Sequence, residues 1–268
     1  MRVMMALLAG AMTLVPTGAM AWGTTGHRIS GAIADRFICG QTRLEIQDLL
    51  GVETLADAAN WADYMRMSAD PYWSKTTFNW HFVTIPDGKT YAQVGAPPQG
   101  DALSALARYR AIVVDRRKPV ADRRDALRMI VHIAGDLGQP LHSGNAHDRG
   151  GNDEIVTMRG EQTNLHSVWD STLIDMEQMS YTEWTAYLLP RITTEQAIAW
   201  ASPDPVAWVD EARAAHPRLY PKTKIIDGDY IYRARPLLHE RLTKSGLRLA
   251  AYLDAMFGHC TGAGTAPR

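Results

Sequence analysis

Cysteine is nearly absent: Cys39 and Cys260 are the only two in 268 residues. That excludes a disulfide scaffold and any zinc site built from clustered thiolates. In an exported chain the two can pair with each other, but sequence alone does not give their separation. An excess of basic charge is missing too, with 28 Lys+Arg against 29 Asp+Glu and a net charge of −1. A broad basic face gripping nucleic acid is therefore excluded, and a protein of this kind acting on phosphates must concentrate positive charge in something other than Lys and Arg. Beyond the first 21 residues there is no uncharged apolar run near the roughly 20 residues that a membrane span needs. Repeats, low-complexity tracts and charge blocks are missing as well. What is present is a 46% hydrophobic, 21% charged composition, enough to bury a full core.

The first 21 residues read as a secretory signal peptide: Arg2, an apolar run from Val3 to Leu14, then Ala19-Met20-Ala21 as a small-x-small cleavage site. Cleavage after Ala21 leaves a mature domain over 22–268 that begins at Trp22, with 28 − 1 = 27 basic residues against 29 acidic and a net charge of −2. The mature protein is expected to be secreted or periplasmic, without a membrane span, and monomeric. Helical periodicity runs from end to end, with amphipathic segments at about 24–38, 42–50, 55–68, 101–116, 122–137, 164–176, 181–200, 203–216 and 230–257. Strand signals are sparse: Trp80 to Ile85, closed by Pro86-Asp87-Gly88, with Glu154 to Met158 as the expected partner. The pattern predicts a mainly α, single-domain, multi-helix bundle with a small two-stranded β element. The loops at about 86–100 and 138–153 are the longest, and the second is crowded with potential ligands.

Two H-x-x-x-D spacings, His132/Asp136 and His166/Asp170, fall in helical segments, where residues four apart share a face. Each pair can make an intrahelical hydrogen bond or offer a nitrogen and a carboxylate oxygen to one zinc ion. His142 lies six residues beyond Asp136, across Gly138-Gln139-Pro140, where the glycine and proline end the helix and turn a third donor back. Upstream, W-A-D-Y-M-R supplies Asp63 and Arg66, and N-W-H-F supplies His81 and Phe82. The new N-terminus reads W-G-T-T-G-H. An α-amino group with a pKa of about 7.7–8.0 can lose its proton to a nearby zinc, so the Trp22 amine and carbonyl can chelate a metal together with His27.

Taken together, W-G-x-x-G-H, W-A-D-x-x-R, H-F, the H-x-x-x-D-x-x-x-x-x-H cassette followed by G-G-N, and L-H-S-x-W-D resemble the exported, single-strand-specific zinc nucleases of the S1/P1 type. These are related in fold to bacterial zinc phospholipases C. The resemblance covers nearly the whole mature chain, to the closing helix around Gly246 to Ala250. It implies a trinuclear zinc site. One zinc would be held by Asp63, His81, His132 and Asp136, a close neighbour by the Trp22 amine and carbonyl, His27 and the other oxygen of Asp136, and a third by His142, His166 and Asp170. Three zinc ions against three aspartates would supply the concentrated positive charge that the composition lacks.

The expected reaction is hydrolysis of single-stranded DNA and RNA to 5′-nucleotides, with 3′-nucleotidase activity. A hydroxide shared by two close zinc ions would attack phosphorus, the third zinc would stabilise the departing 3′ oxygen, and Asp63 would orient the nucleophile. Arg66, one helical turn after Asp63, is expected to contact a phosphate oxygen. Phe82 matches the family's base-stacking phenylalanine, and Asn152 would shape the cleft wall or bond a base. Two departures bear on base preference. Thr84 stands where the fungal enzymes have a base-binding aspartate, and Arg149, in a loop one residue longer than theirs, replaces a small apolar residue and can add a phosphate contact. A zinc phospholipase C is the nearest alternative, although those enzymes carry H-x-x-x-E where this chain has His166/Asp170. A zinc-stabilised binding protein is the alternative from outside catalysis, and it would show closed, fully protein-ligated metals.

Overall fold

The computed structural model describes residues 22–258, so the signal peptide expected over 1–21 and Cys260 lie outside the described residues. Cys39, within them, is disulfide-bonded. The first helix, α1 (Thr24–Phe37), buries Gly26, His27, Ile29, Ser30, Gly31, Ile33 and Ala34. It is followed by α2 (Gly40–Leu50), which Gly51 ends at φ 66°, a left-handed conformation that costs glycine least. Where periodicity predicts one helix over 55–68 there are two, α3 (Leu55–Ala58), opened by a Thr54–Asp57 capping box, and α4 (Trp61–Met65). The break has a use: the Ala59 carbonyl at the end of α3 accepts from His132 Nδ1 at 2.6 Å.

Short α5 (Pro71–Ser74), a 3₁₀ segment over Thr76–His81 and short α6 (Tyr91–Val94) lead to α7 (Ala102–Val114), whose first turn is capped by the Asp101 carboxylate. The hub of the molecule is α8 (Val120–Asp136): every residue from Met129 to Asp136 is buried. A helix covered on all sides runs through a core rather than over it, and that places His132 and Asp136 in the interior. The expected segment 164–176 is one helical run made of α9 (Leu165–Ser167), a π-turn over Val168–Thr172 and α10 (Leu173–Asp175). Pro190 divides the expected 181–200 helix into α11 (Tyr181–Leu188) and α12 (Thr194–Trp200), the second restarted by a Thr193–Gln196 capping box. The last two are α13 (Pro205–Ala214) and α14 (Gly228–Phe257).

The two ends of the chain pack together, α1 lying along α14. A Cβ added at Gly246 would sit 2.4 Å from Ile33 Cβ, so only glycine permits this approach, and the Ser30 and Ser245 hydroxyls meet at 2.7 Å between the helices. Buried apolar side chains form two clusters. One joins α2, α7 and α8 through Leu49, Leu106, Leu127 and Ile130. The other joins α1, α9, α11 and α14 through Ile29, Leu165, Trp184 and Leu242, with Trp22 packed into it ahead of α1.

The protein is mostly helical, a single domain, and it has the expected two-stranded element, though with a different partner. The strand is only β1 (Val83–Thr84), because residues before it coil into the 3₁₀ segment, and it pairs in parallel with β2 (Ser143–Gly144), Val83 opposite Ser143. The segment expected to pair with it forms β3 (Ile155–Met158), which instead makes a hairpin with β4 (Glu161–Asn164) and pairs in parallel with β5 (Ile225–Ile226). The hairpin turn is Arg159-Gly160, both at positive φ (53° and 86°). That is the two-residue geometry matching strand twist. Among the described residues no helix is long and apolar enough to cross a membrane.

Candidate metal centre and substrate cleft

Each element delivers its donors for a local reason. On α8, His132 and Asp136 are one turn apart and face the same way. Beyond the helix end, Pro140–His142 forms a 3₁₀ turn that points His142 back toward α8. The β1–β2 ladder then ties His81 to His142, since both lie just ahead of the paired strands, and His142 Nδ1 donates to the His81 carbonyl at 2.8 Å. The hairpin's second strand, β4, runs directly into α9, carrying His166 to Gly150, whose carbonyl accepts from His166 Nδ1 at 2.6 Å. His27 enters from α1. A Cβ at Gly135 would meet His27 Nδ1 at 2.7 Å, so the absent side chain makes room for the ring to stack on His132 at 4.0 Å.

All eight side chains expected to bind metal come together, in three groups of donor atoms lying within 4.8 Å of one another: His27/His132/Asp136, Asp63/His81/His132 and His142/His166/Asp170. Asp136 is the link. Its Oδ1 lies 3.3 Å from His27 Nε2, while its Oδ2 lies 3.0 Å from His81 Nδ1 and 3.3 Å from His132 Nε2. In the third group, Asp170 Oδ2 is 3.1 Å from His166 Nε2 and Oδ1 is 3.8 Å from His142 Nε2. His132, His142 and His166 each use Nδ1 on a backbone carbonyl, that of Ala59, His81 and Gly150 respectively. Such a bond fixes the tautomer and leaves Nε2 with its lone pair toward the centre, the arrangement usual behind metal-bound histidine.

Electrostatics point the same way. Burial, followed by the crowding of neighbouring histidines that would repel a second charge, pushes His27, His81 and His142 well below the ordinary histidine range, and burial lowers His132 as well. These rings are therefore neutral, the form that donates to a cation. Burial pushes Asp136 well above the usual carboxylate range and Asp170 up to about 6. Asp136 Oδ1, both His27 nitrogens, His81 Nε2 and His142 Nε2 are buried without hydrogen-bond partners. Buried polar atoms are nearly always partnered, and among these Asp136 Oδ1, His27 Nε2 and His142 Nε2 face neighbouring donor atoms across gaps that a divalent cation between neutral imidazoles and carboxylates would fill. The donor set thus fits a multinuclear metal centre.

Trp22 is fully buried against Gly26 in the first turn of α1, and the next residue, Gly23, donates its N–H to the Asp170 carbonyl at 2.7 Å. Arg66 pairs with Asp63 Oδ1 at 3.3 Å, and its guanidinium lies 5.1 Å from the Phe78 ring centroid. Phe78 meets Phe82 edge-on at 6.4 Å, and Phe82 lines a pocket of about 290 Å³ with Asn79, Thr84, Gln99 and Asp101. Arg149 is held in a two-point ion pair by Asp153 on the surface, and Asn152 donates to the Arg149 carbonyl within the same turn. Two contributors are not evident from ligand spacing. Gln139, inside the cassette, bonds Asp170, and Phe78 lies under Arg66. The signal available for Gln139 was its position between a helix-ending glycine and a proline.

The profile of the S1/P1 Nuclease family matches residues 22–258. Nuclease S1 of Aspergillus oryzae is 29% identical over 274 residues, covering 87% of this chain and 91% of that protein. Nuclease P1 of Penicillium citrinum is 29% identical and covers 88% of this chain and 98% of its own length. Endonuclease 2 of Arabidopsis thaliana is 26% identical over 88% of this chain and 91% of its own. The chain belongs to the S1/P1 nuclease family, and its function is that of a nuclease, a hydrolase acting on the phosphodiester bonds of nucleic acids.

Proposed function

We propose that residues 22–268 form an exported trinuclear-zinc nuclease that cleaves single-stranded DNA and RNA to 5′-nucleotides and also acts on 3′-nucleotides, working as a monomer outside the cytoplasm once residues 1–21 are removed. The observation that carries this reading is the Asp136 carboxylate, fully buried, with one oxygen facing each of two histidine groups. A carboxylate so placed suits two neighbouring cations. The donors are imidazoles and carboxylates without thiolates, a set that suits zinc. The Trp22 amine and carbonyl, beside His27, would complete its group, and His142, His166 and Asp170 would hold the third ion. Bound zinc would supply a Lewis acid for the phosphoryl oxygens and a water acidic enough to serve as nucleophile near neutral pH.

The chain's own residues do the rest. Asp63 holds Arg66 beside the centre, where the guanidinium binds a phosphate oxygen and offsets the negative charge that grows as phosphorus is attacked. Asp63 also helps to orient the nucleophile. Phe82 offers a ring against which an unstacked base can lie, a contact worth about 1–3 kcal/mol that a base inside a duplex cannot make. Thr84, in the same pocket, offers a neutral hydroxyl where a carboxylate would select among bases by charge. Asn152 shapes the turn at the cleft wall, and Arg149 reaches a phosphate only by leaving Asp153.

The test is zinc content and hydrolysis of single-stranded DNA on the same mature protein, with phosphatidylcholine as the alternative substrate. About three zinc ions per chain, with DNA cleavage lost on chelation, is the expected result. Zinc bound with phosphatidylcholine cleaved in place of DNA would replace the nucleic-acid reading with a phospholipase. Zinc bound without hydrolysis of either would leave a structural metal.

A further inference from the structure

Gln139 is fully buried and is not itself an expected ligand, yet it bonds two residues that are. Its Nε2 donates to Asp170 Oδ1 at 2.5 Å, and its Oε1 accepts from the Leu141 N–H at 2.5 Å. The second bond fixes the orientation of the amide, because a backbone N–H can only donate and must face the oxygen. The NH₂ group is thereby committed to Asp170. The Gln139 carbonyl accepts from the His142 N–H at 3.1 Å, so one residue also sets the start of the turn that presents His142. Pro140, which has no N–H, separates these contacts and stiffens the turn at its first position.

From this geometry we infer that Gln139 is a positioning residue for the His142/His166/Asp170 group, holding Asp170 Oδ1 so that Oδ2 faces His166 Nε2. An unrestrained carboxylate rotates about its last bond and presents either oxygen or both. With Oδ1 tied to a neutral donor, Asp170 presents Oδ2 in one orientation, and the group keeps room for substrate. The neutrality of the amide matters: a carboxylate in its place would face Asp170 at the same distance with like charge. The effect should be confined to one group, because Gln139 makes none of the bonds that orient His27, His81 or His132.

This inference rests on the proposed metal centre, and the experiment separates the two. Wild type, Gln139→Met and Gln139→Glu are purified with their metal. Each is dialysed against a graded series of a zinc chelator, zinc per chain is counted by mass spectrometry, and the melting temperature of the metal-free protein is recorded. Met keeps the volume and removes the donor, while Glu keeps the shape and the acceptor for Leu141. In both variants one equivalent of zinc should leave at a chelator concentration roughly 10–100-fold lower than in wild type, as is usual for loss of a residue behind a ligand. The remaining equivalents should leave at the wild-type concentration, while the metal-free melting temperatures fall, because Met leaves the buried Leu141 N–H without its acceptor and Glu sets a second carboxylate against Asp170. Release curves identical to wild type in both variants would overturn the inference, and so would weakening of all equivalents together, which marks a packing role. A wild-type protein that holds no zinc would remove the proposed metal centre and this inference with it.

Discussion

Replacing Asp136 by Asn keeps the shape of the side chain and removes its charge, and the structure predicts opposite consequences with and without metal. Without metal, Asp136 is a carboxylate with no exposure, pushed well above its usual pKa by burial. Exchanging it for a neutral amide relieves that burial, so metal-free Asp136→Asn should be at least as stable as metal-free wild type. With metal, the same change strips a ligand from two groups at once, because Oδ1 faces His27 and Oδ2 faces His81 and His132. If each group loses about 100-fold in affinity, stabilisation by saturating metal falls by about 2.7 kcal/mol per group, or about 5 kcal/mol in all. For a domain of this size that is a drop of roughly 10–20 °C in melting temperature. The assay is thermal unfolding of both proteins, loaded and chelated, beside zinc content and DNA hydrolysis; activity should fall by at least about 10²–10³-fold. An equal melting shift in the loaded and chelated states, or a full zinc count in the variant, would refute the shared-carboxylate reasoning.

Arg66→Ala should lower kcat/KM for single-stranded DNA by roughly 10–100-fold, the worth of a charge-assisted bond of about 1.5–3 kcal/mol, at an unchanged zinc count; a lowered count would make Arg66 a support for Asp63 instead. Phe82→Ala should cost about 1–3 kcal/mol on oligonucleotides and little on a small phosphodiester without a base, so equal losses on both would remove the stacking role. Gly135→Ala places a Cβ 2.7 Å from His27 Nδ1; it should displace the ring and weaken zinc retention at that group at a cost of about 1–3 kcal/mol in stability, and chelator titration checks it. Extending the chain by one residue ahead of Trp22 should weaken the metal that His27 helps to hold, and full zinc retention in a verified extended protein would remove the N-terminal chelate.

Much of the site is legible in sequence because its donors sit at spacings set by local geometry. His132 and Asp136 share a face in any α-helix, and Gly138-Gln139-Pro140 ends that helix wherever it lies. The three-dimensional grouping of the histidines is a different matter, since α1, the 3₁₀ segment before β1 and α9 meet only through tertiary packing, and it was the family's ordered landmarks that supplied the grouping. The partner of β1 is not legible in sequence, because two residues of strand carry too little pattern to choose between Ser143–Gly144 and Ile155–Met158. Backbone carbonyls that orient histidines leave no residue-specific mark, so Ala59 and Gly150 were not recognisable as contributors. Gln139 was in plain view in the cassette, but an amide that bonds a carboxylate 31 residues away cannot be told from a turn residue without coordinates.

The packing of α1 against α14 also sets an order of events. The last of the eight candidate metal ligands, Asp170, is followed by 268 − 170 = 98 residues, among them the whole of α14 (Gly228–Phe257), which carries none. The helix bearing His27 nevertheless rests on α14, with Ser30 and Ser245 in contact across 215 positions of chain. Every donor has therefore been synthesised long before the surface that holds the first of them in place exists. A nascent or truncated chain ending before α14 carries the full list of ligands without the support for His27. Docking of the two terminal helices therefore supplies the support for His27 that the string of histidines and aspartates lacks by itself.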